Sequence, residues 1–108
     1  MVAISVAKDF TRYPAGRYER NGNTSGEGFR KRFLEKPIAH GESVTIELDG
    51  TIGYGSSFLE EAFGGLVRTL KISSRELSSK LELVSSDRVL LDEIRQYIGE
   101  ASDSLGLK

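Results

Sequence analysis

Val44-Thr-Ile-Glu-Leu-Asp49-Gly-Thr-Ile-Gly53-Tyr-Gly55-Ser56-Ser57-Phe-Leu-Glu60-Glu-Ala-Phe63 carries an alternating strand through a glycine loop into a helix that opens on two serines. Val44, Ile46 and Leu48 recur every second residue, the period of a strand with one buried face. Phe58, Leu59, Ala62, Phe63, Leu66, Val67 and Leu70 follow at helical spacing as a broad apolar stripe. At the junction, unpartnered backbone N–H groups and the helix dipole favour a phosphate or carboxylate. The hydroxyls of Ser56 and Ser57 stand at that same place. Ser57-x-x-Glu60 also matches a capping box, in which Ser57 does no more than start the helix.

Working outward, Ile4 and Val6 alternate with Ser5 and Ala7, which predicts a first strand over about Val2 to Lys8. Tyr13-Pro14-Ala-Gly16 and Asn21-Gly22 are turn pairs, and Arg17-Tyr18-Glu19-Arg20 between them is a short candidate strand. Thr24-Ser-Gly-Glu27 predicts a capped helix that buries Phe29, Phe33 and Leu34 and stops at Pro37. After the central helix, Ser73-x-x-Glu76 starts a short helical turn, Leu81 and Leu83 mark a strand, and Ser86-Asp87 opens a last helix with Leu90, Ile94, Tyr97 and Ile98. Residues 1–100 form the expected single domain, and 101–108 a frayed tail.

Strands that alternate with helices predict right-handed crossovers and a largely parallel sheet. Polar Thr45, Glu47 and Glu82 between the apolar positions argue against cover on both faces. The expected fold is therefore α/β, a two-layer sandwich with a mixed, mostly parallel sheet of about four strands and helices on one face.

The 108 residues hold 15 basic and 16 acidic side chains, a formal charge of −1 that gives no general attraction to nucleic acid or anionic membrane. With no apolar run near 18 residues and no leader pattern, the expected location is cytoplasmic. The chain has no cysteine, which excludes disulfides, thiolate catalysis and every Cys-based metal site. Its one histidine, His40, sits in Pro37-Ile-Ala-His40-Gly41, a helix exit where it needs no metal. No metal or other cofactor is expected.

Gly50, Gly53 and Gly55 invite a nucleotide reading, but Gly55 stands where a phosphate-binding loop needs lysine, and Phe58 stands where the dinucleotide fingerprint needs a third glycine. The nucleophile-elbow pattern around Ser56 is also incomplete. Glu60 and Glu61 read as a solvated face, with no second acid pair to form an acid–base couple. Gly64 and Gly65 cost about 1 kcal/mol each relative to alanine. Close packing of the helix on the sheet, or a flat face for a partner, would offset that cost. No enzymatic activity is expected.

The strand ending in Leu48-Asp49-Gly50, with Tyr54-Gly-Ser56-Ser57 leading into an apolar helix, resembles the STAS domain of anti-sigma-factor antagonists. Ile4-Ser-Val-Ala-x-Asp9-Phe10, Tyr13-Pro-x-Gly-Arg17-Tyr18, Ser25-Gly-Glu27 and Gly53-Tyr-Gly-Ser-Ser-Phe-Leu-Glu-Glu-Ala-Phe-Gly-Gly65 resemble more closely the STAS-like family of unknown function, over nearly the whole chain. In the antagonists a serine at this helix start is phosphorylated by a kinase-type partner, and the modification breaks the complex. The resemblance implies that Ser56 is the acceptor position, with Ser57 beside it, and that the partner is a histidine-kinase-type ATPase. Asp49, Gly53, Tyr54, Gly55, Phe58, Glu60 and Glu61 are then the expected partner-binding residues.

Two other surfaces compete. The glycine loop could serve a small-molecule or nucleotide sensor. Arg12, Arg17 and Arg20, interleaved with Tyr13 and Tyr18, could contact an anion, a phosphate on Ser56 or a nucleic acid. Asp9 and Glu19 in the same segment weigh against nucleic acid.

Overall fold

Three short strands, β1 (Val2–Ser5), β2 (Val44–Glu47) and β3 (Leu81–Val84), form a parallel sheet in the order β1-β2-β3. The structure is a computed structural model and describes residues 2–107. Met1 and Lys108, the outer ends of the expected domain and tail, lie outside the described residues. Register sets Ile4 beside Ile46 and Ile46 beside Leu83, so the apolar positions of all three strands share a face. The opposite face carries Thr45, whose hydroxyl donates to the Glu82 carboxylate at 3.1 Å.

Four helices connect and follow the strands: α1 (residues 26–39), α2 (residues 56–70), α3 (Ser74–Ser78) and α4 (Arg88–Ser104). The β1-α1-β2 and β2-α2-β3 crossovers advance in one direction across the sheet. With the usual right-handed connection, both helices fall on one side, as one-sided burial requires. The core between the layers gathers Val44, Ile46 and Leu48 against Phe29, Phe58, Phe63 and Ile94. Phe29 and Phe58 stack at 5.9 Å. Gly26 allows α1 to approach α2 closely, because a Cβ there would run into the Phe58 carbonyl oxygen.

The sheet has three strands rather than about four, and the first ends at Ser5 rather than Lys8. There the Ser5 hydroxyl accepts the Lys8 N–H (3.2 Å) and the Asp9 carboxylate accepts the Ser5 N–H (2.7 Å). The chain then coils into a single wide turn closed by Thr11 N–H to the Val6 carbonyl. The candidate strand at Arg17–Arg20 is absent. Glu27 takes the Glu19 N–H at 2.9 Å, and Glu19–Asn21 closes as a tight 3₁₀ turn, so the main chain is satisfied locally.

Ser25, not Thr24, caps α1, accepting the Gly28 N–H, while the Thr24 hydroxyl donates to the Ala15 carbonyl. The helix passes through Pro37 to Ala39. A widened π-type turn at Arg30–Leu34 lies just ahead of the proline, a place where such a bulge relieves the missing N–H. At the other end α4 continues past residue 100 to Ser104, with Ala101 and Ser102 buried. The Ser102 hydroxyl accepts the Ser74 N–H, and Leu107 N–H bonds back to the Ser102 carbonyl, so the segment after 100 is docked instead of frayed.

Candidate functional site

The loop from Asp49 to Gly55 leaves the C-terminal end of β2 and is fixed on both flanks. Asp49 accepts from the Ser85 hydroxyl and from both the N–H and hydroxyl of Ser86, at 3.1–3.2 Å, which ties the loop to the segment after β3. On the other flank Ile52 N–H donates to the Arg12 carbonyl (3.0 Å) and Gly55 N–H to the Pro14 carbonyl (3.4 Å). Gly50 (φ 100°) and Gly53 (φ 139°) take conformations that side chains rarely adopt, and these turn the chain. Tyr54 folds back under the loop. Its hydroxyl donates to the Leu48 carbonyl at 2.7 Å, and burial pushes the phenol up to about 12. A cavity of about 400 Å³ lies between this loop and Ser85–Asp87.

Gly55 is the N-cap of α2, and no side chain caps this helix. That overturns the capping-box reading of Ser57 and Glu60. The first helical hydrogen bond runs from Leu59 N–H to the Gly55 carbonyl, so the N–H groups of Ser56, Ser57 and Phe58 precede the ladder. Ser56 and Ser57 are exposed, and among the described residues neither hydroxyl forms a hydrogen bond. The other serine pairs differ. Ser73 caps α3, Ser78 and Ser79 donate to main-chain carbonyls, and Ser85 and Ser86 hold Asp49.

Glu60 and Glu61 are not a solvated face. Glu60 meets Arg17 at 2.6 Å and Arg68 at 2.7 Å, and hydrogen bonds from Arg68 first, then Arg17, hold its carboxyl below the usual range. Glu61 is buried and accepts from Arg30, which also donates to Glu35. This cluster explains Gly64 and Gly65. A Cβ at Gly65 would run into the Arg30 guanidinium, and one at Gly64 would sit 2.5 Å from the Glu60 carboxylate. The glycines make room for ion pairs, neither for the sheet nor for a partner. An acidic pair followed by two glycines and then Arg68 was the available sequence signal.

The remaining expected residues divide. Phe58 is fully buried against Tyr54 and Phe29 and presents no surface, whereas Gly53 and Gly55 are exposed beside Ser56. Ile52 in the loop (72% exposed) is a large apolar group that no sequence motif marks, and Tyr13 (59% exposed), expected on the competing arginine–tyrosine surface, stands beside the same loop. Of the arginines, exposed Arg12 sits where its segment meets the loop. Arg17 is drawn down α2 to Glu60, whose carboxylate lies over Gly64 and away from Ser56. Arg20 stacks on Tyr18 at 5.1 Å. The structure therefore does not gather the three arginines around Ser56.

Among the described residues, no group of three or more His, Cys, Asp or Glu side chains is placed to hold a metal, and no helix is long and apolar enough to cross a membrane. A family model described as a STAS-like domain of unknown function (DUF4325) matches residues 25–92, from the cap of α1 into α4, with the glycine loop near its middle. No curated protein and no solved structure matches the chain. The chain belongs to this family of STAS-like domains of unknown function.

Proposed function

We propose that the domain is a non-enzymatic regulatory module that binds a signalling partner, a histidine-kinase-type ATPase, through the Gly53–Ser57 turn and is switched by phosphorylation of Ser56. The observation that supports this reading is the contrast among the serines. In the other pairs at least one hydroxyl is engaged, Ser73 as a cap, Ser78 and Ser79 on main-chain carbonyls and Ser85 and Ser86 on Asp49, while among the described residues both Ser56 and Ser57 stand exposed and unbonded at an uncapped helix start. In the transfer, the Ser56 oxygen takes the γ-phosphoryl group of ATP, its proton is lost, and ADP leaves.

The added group carries about −1.5 to −2 charges. Arg17, Arg30 and Arg68 are already engaged by Glu60 and Glu61, so a phosphate on Ser56 would add charge that these arginines do not match. The helix start tolerates it, and the effect falls on the docked partner as repulsion of its carboxylates. Binding of the ATPase to wild type, Ser56→Ala and Ser56→Glu tests this. The Ala variant should bind like wild type and the Glu variant more weakly, and equal affinities for all three would refute electrostatic control.

A second reading, small-molecule sensing, draws on the 400 Å³ cavity at the C-terminal ends of parallel strands, where ligands of open α/β sheets bind. A thermal-shift screen against nucleotides and metabolites separates the two readings. A ligand at 100 times its dissociation constant stabilises by about 2.7 kcal/mol.

A further inference from the structure

At the opposite ends of the strands from the glycine loop, α1 and the outer edge of β1 enclose a groove of about 430 Å³. Its floor is apolar, built from Val2 and Ile4 of β1 and Phe33 and Pro37 of α1. Arg32, Lys36 and His40 follow at four-residue intervals along the α1 side, an arrangement that puts them on one helix face. The geometry points to a docking groove for an extended segment of a partner protein, rich in carboxylates and carrying apolar side chains, laid along β1 as a further strand.

Charge selects that occupant. Among the described residues Arg32 and Lys36 form no ion pair, although Arg30 and Lys31 of the same helix are paired with Glu35, Glu61, Glu19 and Glu27. Arg20, likewise unpaired, lines an adjoining cavity of about 350 Å³ that shares Arg32. Glu42 is the one carboxylate lining the groove, and Glu19 in the adjoining cavity is held by Lys31. Three cations without an ion pair among the described residues, Arg20, Arg32 and Lys36, thus line this apolar trough and its neighbour, facing Glu42 as the groove's carboxylate.

The main chain supplies the strand contact. Val2 N–H donates inward to the Ser43 carbonyl, so strand alternation turns the Ala3 N–H and C=O outward on the sheet edge. Asp9 occupies the Ser5 N–H, which ends the open stretch. An added strand would be anchored at Ala3 and would place alternate side chains in the groove. Nucleic acid fits less well. The Arg32 guanidinium already lies 5.2 Å from the Phe33 ring and 5.4 Å from the Phe10 ring, so these aromatics offer no free face for bases.

Three fluorescein-labelled probes test the proposal on the full chain: a peptide alternating glutamate and valine, its lysine–valine counterpart, and an oligodeoxythymidylate. The glutamate–valine peptide should bind saturably, shift amide resonances of residues 2–4 and 32–42, and bind about fivefold more weakly to Lys36→Glu, a change at an exposed side chain without a partner. Equal or tighter binding of the lysine–valine peptide or of the oligonucleotide would overturn it. So would unchanged affinity in Lys36→Glu, amide shifts confined to other parts of the chain, or no binding of the glutamate–valine peptide.

Discussion

Arg30 donates from one guanidinium nitrogen to both the carboxylate and the main-chain carbonyl of Glu61, each at 2.7 Å, and so fastens α1 to the middle of α2. The bond joins two widened turns, Arg30–Leu34 and Glu60–Gly64. Glu61→Ala removes one of the two carboxylates that hold the buried Arg30, leaving Glu35 and the main-chain carbonyl, and should lower stability by about 1.5–3 kcal/mol in urea unfolding. Arg30→Met with Glu61→Leu should recover most of the loss, because replacing both partners by apolar groups removes the desolvation cost.

Two helical glycines should respond in opposite directions to alanine. At Gly65 the new methyl meets the Arg30 guanidinium and the Glu61 carboxylate, and the protein should lose stability. At Gly99 in α4 nothing lies within 4 Å, and alanine should add up to about 1 kcal/mol through helix propensity. Thermal melts of the two variants side by side give the sign of each.

Tyr54 links phenol ionisation to the fold of the glycine loop. Its folded value is raised to about 12 from the ordinary 10 by burial. A raised value means that the stabilisation is complete below pH 10 and is lost as pH climbs from about 10 to 12. Tyr54→Phe removes the hydrogen bond to the Leu48 carbonyl and should cost about 1 kcal/mol at neutral pH. The wild-type advantage should shrink and then reverse as pH climbs from about 10 to 12, and parallel curves across that range would contradict the assignment.

Serine substitutions separate a free hydroxyl from a structural one. Ser56→Ala deletes no hydrogen bond and should change stability by less than about 0.5 kcal/mol. Ser73→Ala removes the cap of α3 and should cost about 1 kcal/mol. A comparable loss at Ser56 in chemical denaturation would mean that its side chain has a structural partner.

The strand-loop-helix core was legible because period-2 and helical patterns there are uninterrupted: Val44, Ile46 and Leu48, then Phe58 to Leu70. Local side-chain competition for the main chain was not legible. Asp9 and Ser5 end β1 early, and Glu27 turns Glu19 out of a strand, by hydrogen bonds across three to eight residues that leave no mark on the apolar periodicity. The same holds at the site. The exposed serine turn followed from its residues. The neutralisation of Glu60 and Glu61 depends on Arg17 and Arg30, which are distant in the chain and become neighbours only when α1 packs on α2. Ser57 does not cap, because Gly55, with no side chain to offer, takes the N-cap position two residues earlier than the Ser57-x-x-Glu60 pattern implies.

Site-resolved mass spectrometry after incubation with ATP and a histidine-kinase-type ATPase from the same genome bears on the regulatory role of the α2 start. Phosphate should appear on Ser56, with the helix-capping serines Ser25 and Ser73 unmodified and with loss of ATPase binding in the modified fraction. An unmodified chain beside a demonstrably active kinase, or a phosphate that leaves binding unchanged, would contradict it.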